Sequence, residues 1–282
     1  MMPGMRAVVP IRHISPPANA EGLRKQTDAT GRLLAPLLVL AESSDHLVAG
    51  SVGAFIADGE LFRIPRVLFV GPKGGGDTVR LAIFGAVHGN EIEGAEVLIE
   101  FLHELSRTPA AAKGYHIYAY PVCNPSGLVT GTRNNISGVD LTGEFWRSSD
   151  QPEVYYLERE MGVHQFHGVI SLHNTYGTDF TARTWSSILD DALVQPALAA
   201  ARRFLPEPVQ DSHEDASSWP NASGSIPAGF LTATDELLHA PFEINFGIPV
   251  RAPKPLRIQG TVVALVTILE SYRILQATRQ NI

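Results

Sequence analysis

His88 and Glu91 stand three residues apart in the segment Phe84-Gly85-Ala86-Val87-His88-Gly89-Asn90-Glu91-Ile92-Glu93-Gly94, where the apolar run 79–87 gives way to helical spacing. A strand that ends there as a helix begins would set one imidazole and one carboxylate at a strand's carboxyl end. Open α/β sheets form their sites at that edge. His173 closes a second apolar run, 168–173, and Glu243 lies inside a third, 241–246. Two His and one Glu are a known ligand set for catalytic zinc, which keeps a fourth position for water, and the same donors suit other divalent ions. His88, Glu91 and His173 are therefore the candidate metal ligands. Hydrolysis at such a site needs a separate carboxylate to take a proton from water and return it to the leaving amine. Glu243, a charge inside an apolar segment and costly to bury without a task, is the candidate. Arg133, in the polar loop Gly131-Thr132-Arg133-Asn134-Asn135, is the candidate for holding the oxyanion.

Each residue alone has a plainer reading. A His-x-x-Glu pair occurs by chance, His173 suits a hydrogen-bonded core histidine, Glu243 a salt-bridge partner and Arg133 a solvated loop. Their joint placement, where an α/β site requires them, is what argues for chemistry.

The elements that must position them follow from pattern. Residues 34–48 are apolar but short, fitting a strand or a small N-terminal element. Phe55-Ile56-Ala57 and Leu61-Phe62 flank Asp58-Gly59, a hairpin turn signal. Residues 67–70 and 79–87 read as strands joined by the turn-rich stretch 71–77, whose Lys73 and glycines lack the order of a phosphate loop. Ile92, Ala95, Leu98, Ile99 and Leu102 fall at helical spacing, with Pro109 beyond. Residues 115–122 read as a strand closed by Asn124-Pro125, 153–163 as a helix entered through Pro152, and 187–205 and 258–278 as further helices. Residues 206–227, rich in Pro, Ser, Asp, Asn and Gly, read as a long loop of the kind that serves as a lid. Strands alternating with helices point to a largely parallel or mixed sheet covered on both faces.

The bulk composition narrows the classes. The 282 residues carry a formal net charge of −7 with no basic cluster, against a nucleic-acid partner. One cysteine, Cys123, allows no internal disulfide, which fits a reducing compartment. Residues 1–20 lack a long apolar core, so no signal peptide is expected, and no apolar run approaches the ~20 residues that span a bilayer. A cytoplasmic protein with no membrane partner is the expectation.

His88-Gly89-Asn90-Glu91, Asn124-Pro125-x-Gly127, Thr132-Arg133-x-Asn135, Asp140-Leu141, Leu172-His173-Asn174-Thr175 and Phe242-Glu243 occur in the order seen in zinc carboxypeptidase-like hydrolases. The chain most resembles the succinylglutamate desuccinylase/aspartoacylase branch, over about residues 65–250. The resemblance implies a three-layer α/β/α fold with a mixed twisted sheet, phosphorylase/hydrolase-like. One domain spans residues 1–282, with 1–50 an N-terminal extension or small added strands. It implies one zinc per chain on His88, Glu91 and His173, with Glu243 as base and acid and Arg133 as carbonyl polariser. Where the family usually reads Asp-Leu-Asn-Arg, this chain reads Asp140-Leu141-Thr142-Gly143, so the usual clamp on a substrate carboxylate is missing. Asn135, Thr142, Arg147, Arg183 and Tyr176 are the candidates for substrate contacts, with Arg159 a further cation and Trp146 and Trp185 candidate pocket walls or core residues. The expected activity is hydrolysis of an amide bond in a small peptide or N-acyl amino acid. The alternative is a metal-containing ligand-binding protein that has lost turnover. A homo-oligomer is compatible with either.

Overall fold

Alternation of apolar side chains along the central strands divides the core into two layers. In the computed structural model, Leu81 and Ile83 pack on one side of the sheet while Ala82 and Phe84 pack on the other. The same period of two runs through Tyr115, Ile117 and Ala119 against Tyr118 and Tyr120. Such strands are buried on both faces and need cover on both. The structure describes residues 12–14, 29–205 and 241–280.

Eight strands form one mixed sheet: β1 (Arg12–Ile14), β2 (Leu47–Ala57), β3 (Glu60–Val70), β4 (Val79–Phe84), β5 (Tyr115–Tyr120), β6 (Gly168–Thr175), β7 (Thr181–Thr184) and β8 (Phe242–Pro249). Their spatial order is β1-β2-β3-β5-β4-β6-β8-β7. The four central strands, β5, β4, β6 and β8, run parallel, and antiparallel strands finish both edges. The helices α1 (Ala29–Ser43), α2 (Ile92–Arg107), α5 (Gln195–Arg202) and α6 (Lys254–Gln280) contribute to the larger core layer. The second layer is built by α4 (Pro152–His164) with Phe55, Phe62 and Ile64 of the long β2–β3 hairpin. A short helix, α3 (Pro125–Thr130), follows β5. The mixed α/β architecture with helices on both faces is the one the sequence pattern and the resemblance both imply.

The chain moves from β4 to β5 on one side and later to β6 on the other, so the order reverses at β4. Such a switch point, at the carboxyl ends of β4 and β6, is where α/β sheets form the crevice that binds ligands.

Several elements differ from the sequence reading. Residues 29–43 are helical because Leu34, Leu37 and Leu38 repeat at helical spacing and are buried together; the strand begins only at Leu47. The segment read as one helix over 187–205 is a short turn (Ser187–Leu189), a π-helical stretch (Asp190–Val194) and α5. β7 is polar and four residues long, too short to register as a strand pattern. The proposed lid, 206–227, lies outside the described residues. α6 is long and apolar enough, over residues 254–278, to cross a membrane by length and composition. Here Ile258, Val262, Leu265, Ile268 and Leu269 are spent on the core.

The Asp58-Gly59 turn has both residues at positive φ, 48° and 80°, as a tight hairpin requires. Gly89 is demanded by space instead: a Cβ there would sit 2.0 Å from the backbone of Gly127. Gly162, in the last turn of α4, meets nothing within 4 Å. Gly89→Ala is therefore expected to destabilise the protein by about 1–3 kcal/mol through overpacking. Gly162→Ala should be stabilising by roughly 0.5–1 kcal/mol. Urea unfolding of the two variants beside the parent checks both signs, and equal effects would contradict the packing described.

Candidate metal centre

The turn between β4 and α2 is held by backbone on every side. Gly85 donates to the carbonyl of Tyr120, Cys123 donates to Gly85, and Asn124 donates to Ala86. Ala86, fully buried, takes the left-handed conformation at φ 43°, an unfavourable region for a residue with a Cβ. Gly89 N–H donates to the carbonyl of Arg133. The turn thus presents His88 into the crevice and leaves Glu91 at the helix N-cap. The Glu91 carboxylate does not cap α2.

It turns instead between two imidazoles. Nδ1 of His88 lies 2.9 Å from Oε1 of Glu91, and Nδ1 of His173 lies 3.3 Å from Oε2. The two rings are 5.3 Å apart at an angle of 46°. One ligand atom from each residue falls within 4.8 Å of the others, the sole such acid, His or Cys group of three among the described residues. All three side chains are largely withdrawn from water. Burial by itself would push Glu91 up, but contacts with His173 and His88 outweigh it and hold the carboxyl at about 2. Burial pushes His88 down, and its contacts with Asp140 and Glu91 more than reverse that, leaving it raised.

The donor set fits a divalent ion. Two imidazole nitrogens and a carboxylate oxygen are the donors such an ion takes, and one from each residue lies within 4.8 Å of the others. The buried Nε2 of His88 completes no hydrogen bond, and its nearest acid oxygen is Oδ1 of Asp140 at 3.5 Å. That is the arrangement by which a carboxylate orients a metal-ligating histidine whose other nitrogen faces the ion. Asp140 is itself fixed: Thr142 donates to Oδ1 through its backbone N–H (3.1 Å) and its hydroxyl (2.7 Å), and Arg133 donates through Nε to Oδ2 at 3.0 Å. Contact with His88, aided by Thr142 and Arg133, keeps Asp140 well below the usual carboxylate range. The half-exposed Arg133 brings its Nη1 to 3.4 Å from His88 Nδ1 and 4.0 Å from Glu91 Oε1, so one cation stands at the mouth of the site.

The other sequence candidates are distributed differently. Glu243 is buried, but it pairs in register with Val169, whereas His173 pairs with Gly247. Four residues at about 3.3 Å each put it roughly 13 Å down the strand from the His173 level, too far for the base expected of it. Trp185 Nε1 donates to its Oε2 at 3.4 Å. Glu243, Asn245 and Gly247 alternate with the core residues Ile244, Phe246 and Ile248, so they share the face of Val169, Ser171 and His173. The polar residue of β8 nearer the site is thus Asn245, whose Oδ1 accepts from the Ser171 hydroxyl. An amide cannot take up a proton at these pH values.

Asn135, expected at the substrate, is buried in its own loop. Thr142 is engaged by Asp140 rather than facing a ligand. Arg147 is exposed past the 3-10 turn, Arg159 is exposed on α4, and Tyr176 is exposed just after β6. Arg183 pairs with Asn245 and lies on the His173 face of the sheet, the best placed of the three arginines. Trp146 packs against the α4 core layer, while Trp185 is exposed. Sequence reasoning missed Asn245 because strand register cannot be read from one strand alone. It also gave no role to Asp140, Ser126 or Glu153, whose partners are distant in the chain.

The family model described as the succinylglutamate desuccinylase/aspartoacylase catalytic domain matches residues 77–222, over half of the chain. The match includes the three ligand candidates and Arg133 and ends before β8. No curated protein matches the chain. Among solved structures, a protein of Shewanella amazonensis SB2B provisionally named a metallopeptidase aligns with a TM-score of 0.65 and 20% identity, covering 89% of this chain and 96% of that one. A metallo-carboxypeptidase from Burkholderia cenocepacia aligns at 0.64 and 12% identity, over 86% and 69%. Bovine thrombin-activatable fibrinolysis inhibitor, solved with a tick carboxypeptidase inhibitor, aligns at 0.60 and 13% identity, over 89% and 98%. At these identities the likeness is one of fold.

The depressed Glu91 pKa sets a direction for pH. Its folded-state value, about 2, is below the ordinary carboxylate value, so its stabilising contribution is present near neutrality and is lost as pH falls from about 4.5 toward 2. In metal-free protein, the stability advantage of the parent over Glu91→Gln should shrink across that window in urea titrations. An advantage that grew on acidification would contradict the ion-pair account.

Proposed function

This chain belongs to the succinylglutamate desuccinylase/aspartoacylase family, and from that premise we propose that it is a zinc-dependent hydrolase of an amide bond in an N-acyl amino acid or short peptide. The observation that carries the proposal is the convergence of His88, Glu91 and His173 at the switch point, with Arg133 beside them. One zinc per chain would be held by those three side chains. When bound, it supplies Lewis acidity, drawing charge from a carbonyl and making a nucleophile of water available near neutral pH.

The protein's own groups position the reacting carbonyl and its charge. Arg133, fixed through Nε on Asp140, presents its remaining N–H groups to an oxygen that gains negative charge. Asp140 also stands 3.5 Å from Nε2 of the His88 ring, where it can orient it. Arg183 pairs in register with Asn245 and so lies on the His173 face, on the side from which a substrate carboxylate would approach in place of the missing clamp. The β8 position facing the site offers Asn245, so proton transfer is not supplied from this strand.

That last observation favours a second reading, in which metal and ligand are bound without turnover. Two measurements separate the readings. Mass spectrometry of the native protein should show about one zinc per chain, lost in His173→Ala; a metal-free parent after zinc addition would sink both. A panel of N-acyl amino acids and acyl dipeptides is then assayed. A hydrolase should turn over a member of the panel and lose about 10²–10³ in kcat with Arg133→Ala, as for loss of an oxyanion donor. Calorimetric binding without hydrolysis in the parent, together with hydrolysis acquired by Asn245→Glu, would establish the second reading. In either case Glu243→Gln should leave zinc content unchanged.

A further inference from the structure

Arg133 and Asp140 belong to one loop, residues 131–140, and neither would stand against His88 if that loop were free. Its shape is imposed from inside. Oδ1 of Asn135 accepts from the backbone N–H of Ser137 (3.1 Å) and of Val139 (3.0 Å), folding the loop around its own side chain. Nδ2 of Asn135 donates to Gln151 Oε1 at 2.7 Å and reaches Glu153 Oε2 at 3.5 Å. Ser126, on α3, accepts from Ile136 N–H at 3.2 Å and donates to Glu153 Oε1 at 2.8 Å. Glu153 sits one residue inside the Pro152 start of α4 and is completely buried. One carboxylate therefore gathers α3, α4 and the Arg133 loop.

A buried carboxylate is costly, and in the first turn of α4 this one is met by its own backbone N–H. Burial pushes its pKa up, while its own backbone N–H and the donors from Ser126 and Asn135 favour the charged form. Two side-chain donors approach its two oxygens from separate elements. Glutamine would offer one acceptor and a competing donor in the same volume. The group touches none of the metal-site side chains, so its effect on them runs through the loop.

We propose that Glu153 is a positioning residue for the metal centre: by clasping Ser126 and Asn135 it fixes the loop that sets Asp140 on His88 and Arg133 at the mouth of the site. The inference rests on the metal reading above for its second link only.

The first link is tested without metal. In Glu153→Gln, amide hydrogen exchange at Ile136, Ser137 and Val139 should be roughly ten-fold faster than in the parent, with β4 and β5 amides unchanged. Unchanged loop exchange would overturn the proposal. The second link is tested by zinc affinity in chelator competition. Glu153→Gln should weaken zinc by about 10–100-fold, as for loss of an orienting partner of a ligand. The double variant with Asp140→Asn should be little weaker than the poorer single variant, because both act through one contact. Additive losses would overturn the route through Asp140. Tyr115→Phe, which removes a buried hydroxyl bond to Leu269 on the far core layer, controls for instability alone. An equal loss of affinity in that variant would also overturn it. Should Glu153→Gln fail to fold, Ser126→Ala removes one of the side-chain donors, with exchange read at Ser137 and Val139 because Ile136 there loses its own acceptor. A parent protein that takes up no zinc would refute the metal reading, and the exchange data would still decide whether Glu153 holds the loop.

Discussion

A carboxylate almost fully withdrawn from water has to be answered by charge or by donors, and Glu91 is answered by an imidazole on each side. Those imidazoles arrive from different parts of the chain, one from the turn after β4 and one from the end of β6. They meet only because the sheet order reverses at β4. Nearly every other polar feature around the crevice can be traced to this demand. Asp140 answers the far nitrogen of His88, Arg133 and Thr142 answer Asp140, and the loop that carries Arg133 and Asp140 is answered by Asn135, Ser126 and Glu153. The polar interior is a series of such obligations extending from the crevice into the layer beneath α4.

The opposite flank of the sheet carries a similar, smaller series. Asn174, next to His173, donates to Glu93 at 2.7 Å, and Arg257 of α6 donates to the same carboxylate at 2.8 Å. Arg257 also donates to the carbonyls of Val250 and Ala252 beyond β8. The start of α2, the end of β6 and the start of α6 are thereby tied at one point, one residue from one imidazole and two from Glu91. The crevice is braced on both faces of the sheet, by a carboxylate in each case.

Much of this was legible in the sequence, for reasons that can be named. The β4–α2 transition announced itself because a continuous apolar run ends at Val87 and 3.6-residue spacing follows, and a helix begins where the pattern says. His173 was found because it ends an apolar run. What sequence could not supply was register. Glu243 and Asn245 have the same parity on the same strand, and either could face the crevice until β8 is paired with β6. A single charge in an apolar segment looked like function and proved to lie far down the strand beside Trp185. In the same way, Asn135 had the type of a ligand-facing residue, but its four hydrogen-bonding contacts are all used to fold and hold its own loop. The helix at residues 29–43 was masked by a short apolar run that fits a strand equally well.

Ala86 carries a consequence of a different kind. Its left-handed backbone is held by its own carbonyl's bond to Asn124 and by the close pass of Gly85 against Gly94, so the turn that bears His88 is set when the sheet forms. The ordering entropy of that turn is charged to folding and not to the arrival of an ion. An incoming ion meets donors already gathered, so loading would proceed as a simple encounter, without the folding step that small metal-dependent domains require.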